Sequence, residues 1–516
     1  MEKMVSVLLA AVILVSCLAG CTPAVPAGAI STADTTGAPS TTAAPTETTV
    51  PTETAAARVP VAEYGIPADS ILNRIPKYTY GSYEQIRNLD ASGEYYLDDT
   101  MTGTVTAEDA LGGGEMLMFT DVPDDKGLIA YEKTLENQGF RLYAENDMAG
   151  NQYATWISDE IVVTLMYLPN YQRVNIIAEP MRDLPLLETE NVYEDLRIED
   201  SVILVSTQFV GKQIGMCLMF QLCDGSFIIV DSGFGWDFDE RGEEYADYWQ
   251  NNAKEIYHTL EKLSPDRDHD GDKDQKDIVI AAWFFTHPHL DHIGGFIPFA
   301  ELYADQVTLE QAVINFPNYE THKLFINDRY EAGEKADAVA AAIGRVQDAV
   351  AEFEGAKLIE AHAGQRFFLR DAVVEMLYTW ELEPDMIERM NSSSLVFSVE
   401  LGETQTMVLG DCGNTSSNVL TDLYGNFLKS DFQTVAHHGH TGATRELNLT
   451  IDADIILWPA GDEDYRTYKN KDYNVPFFNT VSNYIAGDRV TVIPLPYTGS
   501  KNVVKWDVIE KIYGQS

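Results

Sequence analysis

A strongly apolar run, Ile278-Val279-Ile280-Ala281-Ala282-Trp283-Phe284-Phe285, stops abruptly at Thr286-His287-Pro288-His289-Leu290-Asp291-His292-Ile293-Gly294-Gly295. Such a run reads as a strand buried on both faces. The loop after it therefore leaves the end of a strand inside a layered fold. Histidine and carboxylate are the ligand types of Zn, Mn and Fe. A loop leaving a strand can turn His287 and His289 to one ion and leave Asp291 and His292 for a second. The chain has ten His. Three more of them crowd a second run, His437, His438 and His440.

The rest of the chain fits that layering. At 516 residues it is long enough for two or three domains. From Ser201 onward, apolar strands alternate with helical stretches at 237–263 and 336–353, the pattern of an α/β fold. Asp224-Gly225 marks a hairpin turn between two of the strands. Residues 59–190 read differently. A short helix over 131–140, closed by Gly139, precedes four segments of alternating apolar and polar residues, a meander of strands. This is a small α+β domain with no chemical constellation of its own.

The two ends of the composition argument concern address and charge. Residues 1–21 carry Lys3, a short apolar run and Leu18-Ala19-Gly20-Cys21. The run is short for a membrane span, and its flanks suit a signal peptide. Its end resembles a bacterial lipobox, which implies a lipid on Cys21 and attachment to a membrane. Residues 22–58 are nearly all Thr, Ala, Pro, Ser, Gly and Glu, the composition of a disordered linker. Lys+Arg number 35 against Asp+Glu 81, a net charge of −46. Such a chain repels polyanions, so long nucleic acid is excluded as a general partner. Cys217, Cys223 and Cys412 form no disulfide framework, and pairing of Cys217 with Cys223 stays open.

The loop His287-Pro288-His289-Leu290-Asp291-His292 resembles the HxHxDH signature of the metallo-β-lactamase superfamily. Ile228-Ile229-Val230-Asp231-Ser232-Gly233, Val408-Leu409-Gly410-Asp411 and Ala436-His437-His438-Gly439 follow in that superfamily's order. The resemblance spans residues 200–516 and implies an αββα sandwich with a metal site at one edge. Asn391-Ser392-Ser393-Ser394-Leu395-Val396 adds a likeness to the extracellular hydrolase domain of the bacterial DNA-uptake competence protein and its exported relatives, which implies phosphodiester chemistry.

From that resemblance, His287, His289, Asp291, His292, Asp411 and His438 are the expected ligands of two divalent transition metals, Zn or Mn. Asp411 bridges them. Successive strand residues face opposite ways, so one of His437 and His438 faces the ions. His438 is the expected ligand, and His437 a supporting residue or the alternative. Asp231 would hold a ligand histidine. Asp291, Asn391 and His440 are the expected catalytic residues. Asn391 stands where many relatives supply a His, which leaves the first ion short of a ligand or drawing one from elsewhere, His362 being one candidate. Cys412 is expected to pack in the core.

Between 237–263 and the apolar strand lies a loop with acids at Asp266, Asp268, Asp270, Asp272, Asp274 and Asp277 and Gly271 at its sixth position. This spacing matches an EF-hand-type calcium loop. The expected activity is a membrane-anchored, extracytoplasmic metal-dependent hydrolase of a small or envelope phosphodiester. Hydrolysis of a β-lactam, lactone or thioester is the alternative, and a non-catalytic envelope-ligand binder the next.

Overall fold

Four parallel strands set the position of the site. Phe227–Val230, Val279–Phe284, Gln311–Ile314 and Lys357–Glu360 lie side by side. Their C-terminal ends therefore share one edge of the sheet, and Asp231, His287, Asn315 and His362 follow directly from them. Every residue of Val279–Phe284 is buried, as the unbroken apolar run requires. Cys217–Gln221 and Phe227–Val230 form the expected hairpin, with Gly225 at φ +79° in its turn. Val202–Ser206, Val490–Pro494, Val504–Trp506 and the two-residue strand Thr308–Leu309 beside Val279–Phe284 bring the sheet to nine strands.

A second sheet of seven strands runs Arg366–Leu369, Ala372–Tyr378, Val396–Leu401, Thr404–Val408, Phe432–Thr434, Ile455–Trp458 and Ser482–Ile485. The two sheets face each other across one core, in which Ile228, Phe284 and Val313 meet Phe397, Val399, Val408 and Leu457. Each fully buried side chain of this kind contributes roughly 1.5–3 kcal/mol relative to exposure. The outer face of the nine-stranded sheet is covered by helices Ala246–Leu263 and Phe296–Tyr303 and by residues 344–351. Helices Asn414–Tyr424 and Arg445–Ile451 cover the outer face of the other. The layers are α, β, β and α, preceded by an α+β region.

That region is a six-stranded antiparallel sheet in the order Ser82–Asn88, Glu115–Thr120, Arg173–Pro180, Ile161–Leu168, Asn151–Ile157, Arg141–Met148. The last four in sequence form the meander read from alternation. One face holds helix Lys126–Asn137 through Leu128, Tyr131 and Leu135. The helix begins five residues before the expected start. Gly127 disguises it, yet a Cβ there would strike Tyr78 and Tyr80, so close packing requires the glycine. The other face carries Met116, Met148, Met166 and Ile177 into one core with Leu377, Leu409, Leu420 and Tyr424. Asn151 Nδ2 donates to Leu423 O (2.8 Å) and the Tyr153 and Tyr424 hydroxyls meet at 2.7 Å.

The computed structural model describes residues 66, 70–88, 93–98, 101–105, 114–187, 202–206, 215–233, 246–317, 344–384, 390–480, 482–486 and 490–506. The leader, Cys21 and the linker at 22–58 lie outside them, as do 237–245 and 336–343 of the two expected helices. Arg58–Ser516 forms one unit. Among the described residues no helix is long and apolar enough to cross a membrane. Cys217 and Cys223 are buried and form no disulfide with each other. Cys412 sits in the core with Leu420 and Leu423, where burial pushes its thiol up to about 12.

Candidate metal centre

Three loops at the sheet edges converge. The first follows Val279–Phe284. Its base is tied down by Thr286, whose N–H donates to Asp231 Oδ1 and whose hydroxyl donates to Oδ2, both at 2.7 Å. Asp231 itself takes φ +56° just past its strand. One turn of helix, Leu290–Ile293, then carries Asp291 and His292. Gly295 lets this loop pass close to Ser232, whose carbonyl a Cβ would approach to 2.2 Å. The second loop leaves Thr404–Val408 through Gly410 at φ +51°, and a Cβ at Gly410 would press on Thr286 and Ser394. It delivers Asp411, whose N–H donates to Ser394 Oγ (3.1 Å). The third is Ala436–Gly439.

The third loop corrects the sequence reading. His437 and His438 do not continue a strand. They form a tight turn in which both are left-handed, φ +50° and +52°. Strand alternation does not apply there, and both rings face Asp411. His437 Nε2 is 3.7 Å from Oδ2, and His438 Nε2 is 3.7 Å from Oδ1.

Around Oδ1 stand His292 Nε2 at 3.2 Å and, beside it, Asp291 Oδ2, which lies 3.2 Å from His438 Nε2. Near Oδ2 stands His287 Nε2 at 3.7 Å, itself 3.0 Å from His289 Nδ1. Two sets of side chains place one ligand atom each within 4.8 Å of the others: His287, His292 and Asp411, and Asp291, His292 and His438. His287, His292, His438 and Asp411 are almost wholly buried.

The outer ring nitrogens are fixed. His292 Nδ1 donates to Asp231 Oδ2 (2.7 Å), and His438 Nδ1 donates to the Pro459 carbonyl (2.8 Å). Each ring then turns its Nε2 inward, where once deprotonated it offers a lone pair, and the two nitrogens face each other at 3.2 Å. Asp411 Oδ1 is buried and has no hydrogen-bond partner. Lone pairs and a bare carboxylate oxygen converging in a buried space repel one another unless a cation lies between them. The donor set, imidazole and carboxylate, suits Zn or Mn. The residues present fit divalent metal.

The charges agree. Burial would raise the Asp411 carboxyl, but His292, His437 and His438 outweigh it and hold it well below its usual range. Burial, helped by His292 and His289, lowers His287 strongly, and burial, helped by His438 and His440, lowers His437 to about 4, so both rings are neutral and ready to ligate.

Other expected residues fall as follows. Asn391 sits in a turn before Val396–Leu401 with its Nδ2 3.1 Å from His437 Nε2. His440 lies at the rim, its Nε2 3.5 Å from Asp464 Oδ1 and its ring 3.9 Å from that of Tyr468. His362 is not brought to this cluster. Its Nδ1 meets Glu381 and its Nε2 meets Glu179, both at 2.9 Å. Arg182 pairs with Glu179 and Glu360 in the same buried group. Glu179, Arg182, Glu381, Asp464 and Pro459 carried no sequence signal. In the acidic loop, Asp266, Asp268 and Asp277 bring oxygens within 4.8 Å of one another, with Gly271 at φ +94°. Asp270 and Asp272 are not part of that set.

Residues 213–377 match the model of the Metallo-beta-lactamase superfamily. This stretch carries a domain of that superfamily, a metal-dependent hydrolase-type fold. No curated protein matches the chain. Among solved structures, the metallo-beta-lactamase fold protein YhfI from Bacillus subtilis is 13% identical, with 57% of this chain and 100% of that chain covered and a TM-score of 0.32. CmlA, a diiron beta-hydroxylase from Streptomyces venezuelae, is 13% identical over 58% of this chain and 54% of its own, TM-score 0.32. The chain thus spans about half the length of CmlA. Zn-bound PqqB from Methylobacterium extorquens is 9% identical over 56% and 98%, TM-score 0.32.

Proposed function

We propose that the protein is a metal-dependent phosphodiesterase, held by a lipid on Cys21 at the extracytoplasmic face of a membrane. The observation that carries this reading is the surround of Asp411, whose two carboxylate oxygens face two different groups of imidazole nitrogens. His287 and His289 would hold one divalent ion and Asp291, His292 and His438 the other, with Asp411 between them. When bound, such a pair supplies Lewis acidity, polarising the scissile group and making water nucleophilic near neutral pH.

The chain's own residues supply the rest. Asp231 fixes the His292 tautomer by taking its Nδ1 proton in a hydrogen bond. Asp291 orients the attacking water. The Asn391 amide would turn from His437 Nε2 (3.1 Å) to hold a substrate oxygen, and His440 at the rim would give a proton to the leaving group. Asp231, Asp291 and Asp411 offset two divalent ions to leave one positive charge. A phosphodiester's single negative charge meets it. The chain's overall acidity favours a small or envelope phosphodiester over long nucleic acid. We also assign calcium to the loop from Asp266 to Asp277, where it would brace the strand leading to His287.

The test is hydrolysis of bis-p-nitrophenyl phosphate by the full chain loaded with Mn or Zn, beside His289→Ala. Turnover lost in the variant supports the reading. Two ions bound without turnover would move it to another bond.

A further inference from the structure

Asn391 stands where a third imidazole for the first ion is expected, and two consecutive histidines crowd the opposite wall. We propose that His437 and His438 each ligate, but to different ions. His437 completes the first site with His287, His289 and Asp411 Oδ2, and His438 completes the second with Asp291, His292 and Asp411 Oδ1. This rests on the two-ion reading above and names where its missing ligand comes from.

The spacing carries the argument. Two ligand atoms each about 2.1 Å from one ion in near-tetrahedral geometry lie about 3.4 Å apart. His287 Nε2 and His437 Nε2 both stand 3.7 Å from Asp411 Oδ2. That is too long for a hydrogen bond and fits two nitrogens and one oxygen gathered about an ion. His438 Nε2 holds the same distance to Oδ1. Each ring is anchored through Nδ1, His437 to Thr441 Oγ1 (2.9 Å) and His438 to Pro459 O (2.8 Å), so each points Nε2 inward, and an ion on His437 Nε2 would displace the Asn391 amide now 3.1 Å from it.

The backbone explains how neighbours can serve two ions. On a strand their rings would face opposite ways. The left-handed pair bends the chain so that both reach Asp411, at a cost of about 1–2 kcal/mol per residue. Ala436–Gly439 is held in that shape by His437 N–H donating to Gly410 O (3.1 Å) and by Gly439 at φ +88° packed on Trp458.

The experiment titrates the metal-free full chain with Co(II), reading stoichiometry and the visible ligand-field spectrum. The unaltered protein is expected to take two ions. His437→Ala should keep one tight site and weaken the other at least about 100-fold, while His438→Ala should weaken the complementary one. Asn391→His in the His437→Ala background should restore two-ion binding. Far-ultraviolet circular dichroism confirms that each variant is folded, and His437→Gln repeats the measurement with a side chain closer in size. If His437→Ala and His437→Gln both bind two ions with unchanged affinity and spectrum, the proposal falls. If the unaltered protein takes no cobalt, the two-ion reading itself falls.

Discussion

Two buried groups of histidine and carboxylate lie along the same edge of the nine-stranded sheet, and they are built on opposite principles. Around Asp411 five imidazole-bearing and carboxylate side chains aim ligand atoms at one another, His292 Nε2 and His438 Nε2 at 3.2 Å, and Asp411 Oδ1 is left without a hydrogen bond. Around His362 they are matched. Glu179 and Glu381 only accept, so both ring nitrogens donate and the imidazole is positive. Burial opposes that charge, but the two glutamates outweigh it and hold His362 well above its usual range. Arg182 balances Glu179 and donates to Glu360, whose carboxyl burial keeps protonated up to about pH 8, and Asn315 and Thr379 donate to Glu381. A cluster that neutralises itself joins two parts of a chain. A cluster that cannot do so needs an ion. Composition alone does not separate them, while the direction of each lone pair does.

The largest effect should come from Asp411→Ala. Losing the shared carboxylate removes a ligand from both ions, so metal analysis should show both lost and turnover down by more than about 100-fold. Next, His362→Leu leaves Glu179 and Glu381 facing each other without a cation. Breaking such a buried group costs about 3–5 kcal/mol, read by urea unfolding, yet two ions should still bind. A variant that loses metal but not stability would break the contrast.

Asp231→Asn should be milder, weakening metal affinity by about 10–100-fold in competition titrations, because only the support of His292 is altered. A pH series sharpens the same contrast. Burial pushes Glu360 up to about 8 from an ordinary 4.5, so above pH 4.5 the folded chain keeps a proton that the unfolded chain has released. His362 behaves alike above 6.5. The Glu360 contribution is full below pH 4.5 and is lost as pH rises to about 8, and the His362 contribution is full below 6.5 and is lost at higher pH, so the melting temperature of metal-free protein should fall as pH rises from 4.5 toward 8. Smallest of all, dialysis into calcium-free buffer that contains the Asp411 metal should lower stability by about 1–3 kcal/mol without releasing the ions at Asp411.

The site was legible where its residues are local. His287, His289, Asp291 and His292 fall within one loop after an unmistakable buried strand, and Asp231 and Asp411 each end strands of their own. The meander over 141–180 was legible by alternation for the same reason. The His437–His438 turn was not, since left-handed histidines look in sequence like the end of a strand. Nor was the partner of His362, because Glu179 is 183 residues away and reads as one more acid in an acidic chain. Position along the sheet edge, not spacing, brings that pair together.

The methionine-lined face of the six-stranded sheet has a consequence for biosynthesis. Asn151 finds its partner Leu423 only 272 residues later, roughly 15–55 s of translation at 5–20 residues per second. Until then Met116, Met148, Met166 and Ile177, all buried in the finished protein, have no cover. The nascent chain therefore travels with an open greasy flank that a holding chaperone must shelter, and the last half of the message decides whether the first half survives.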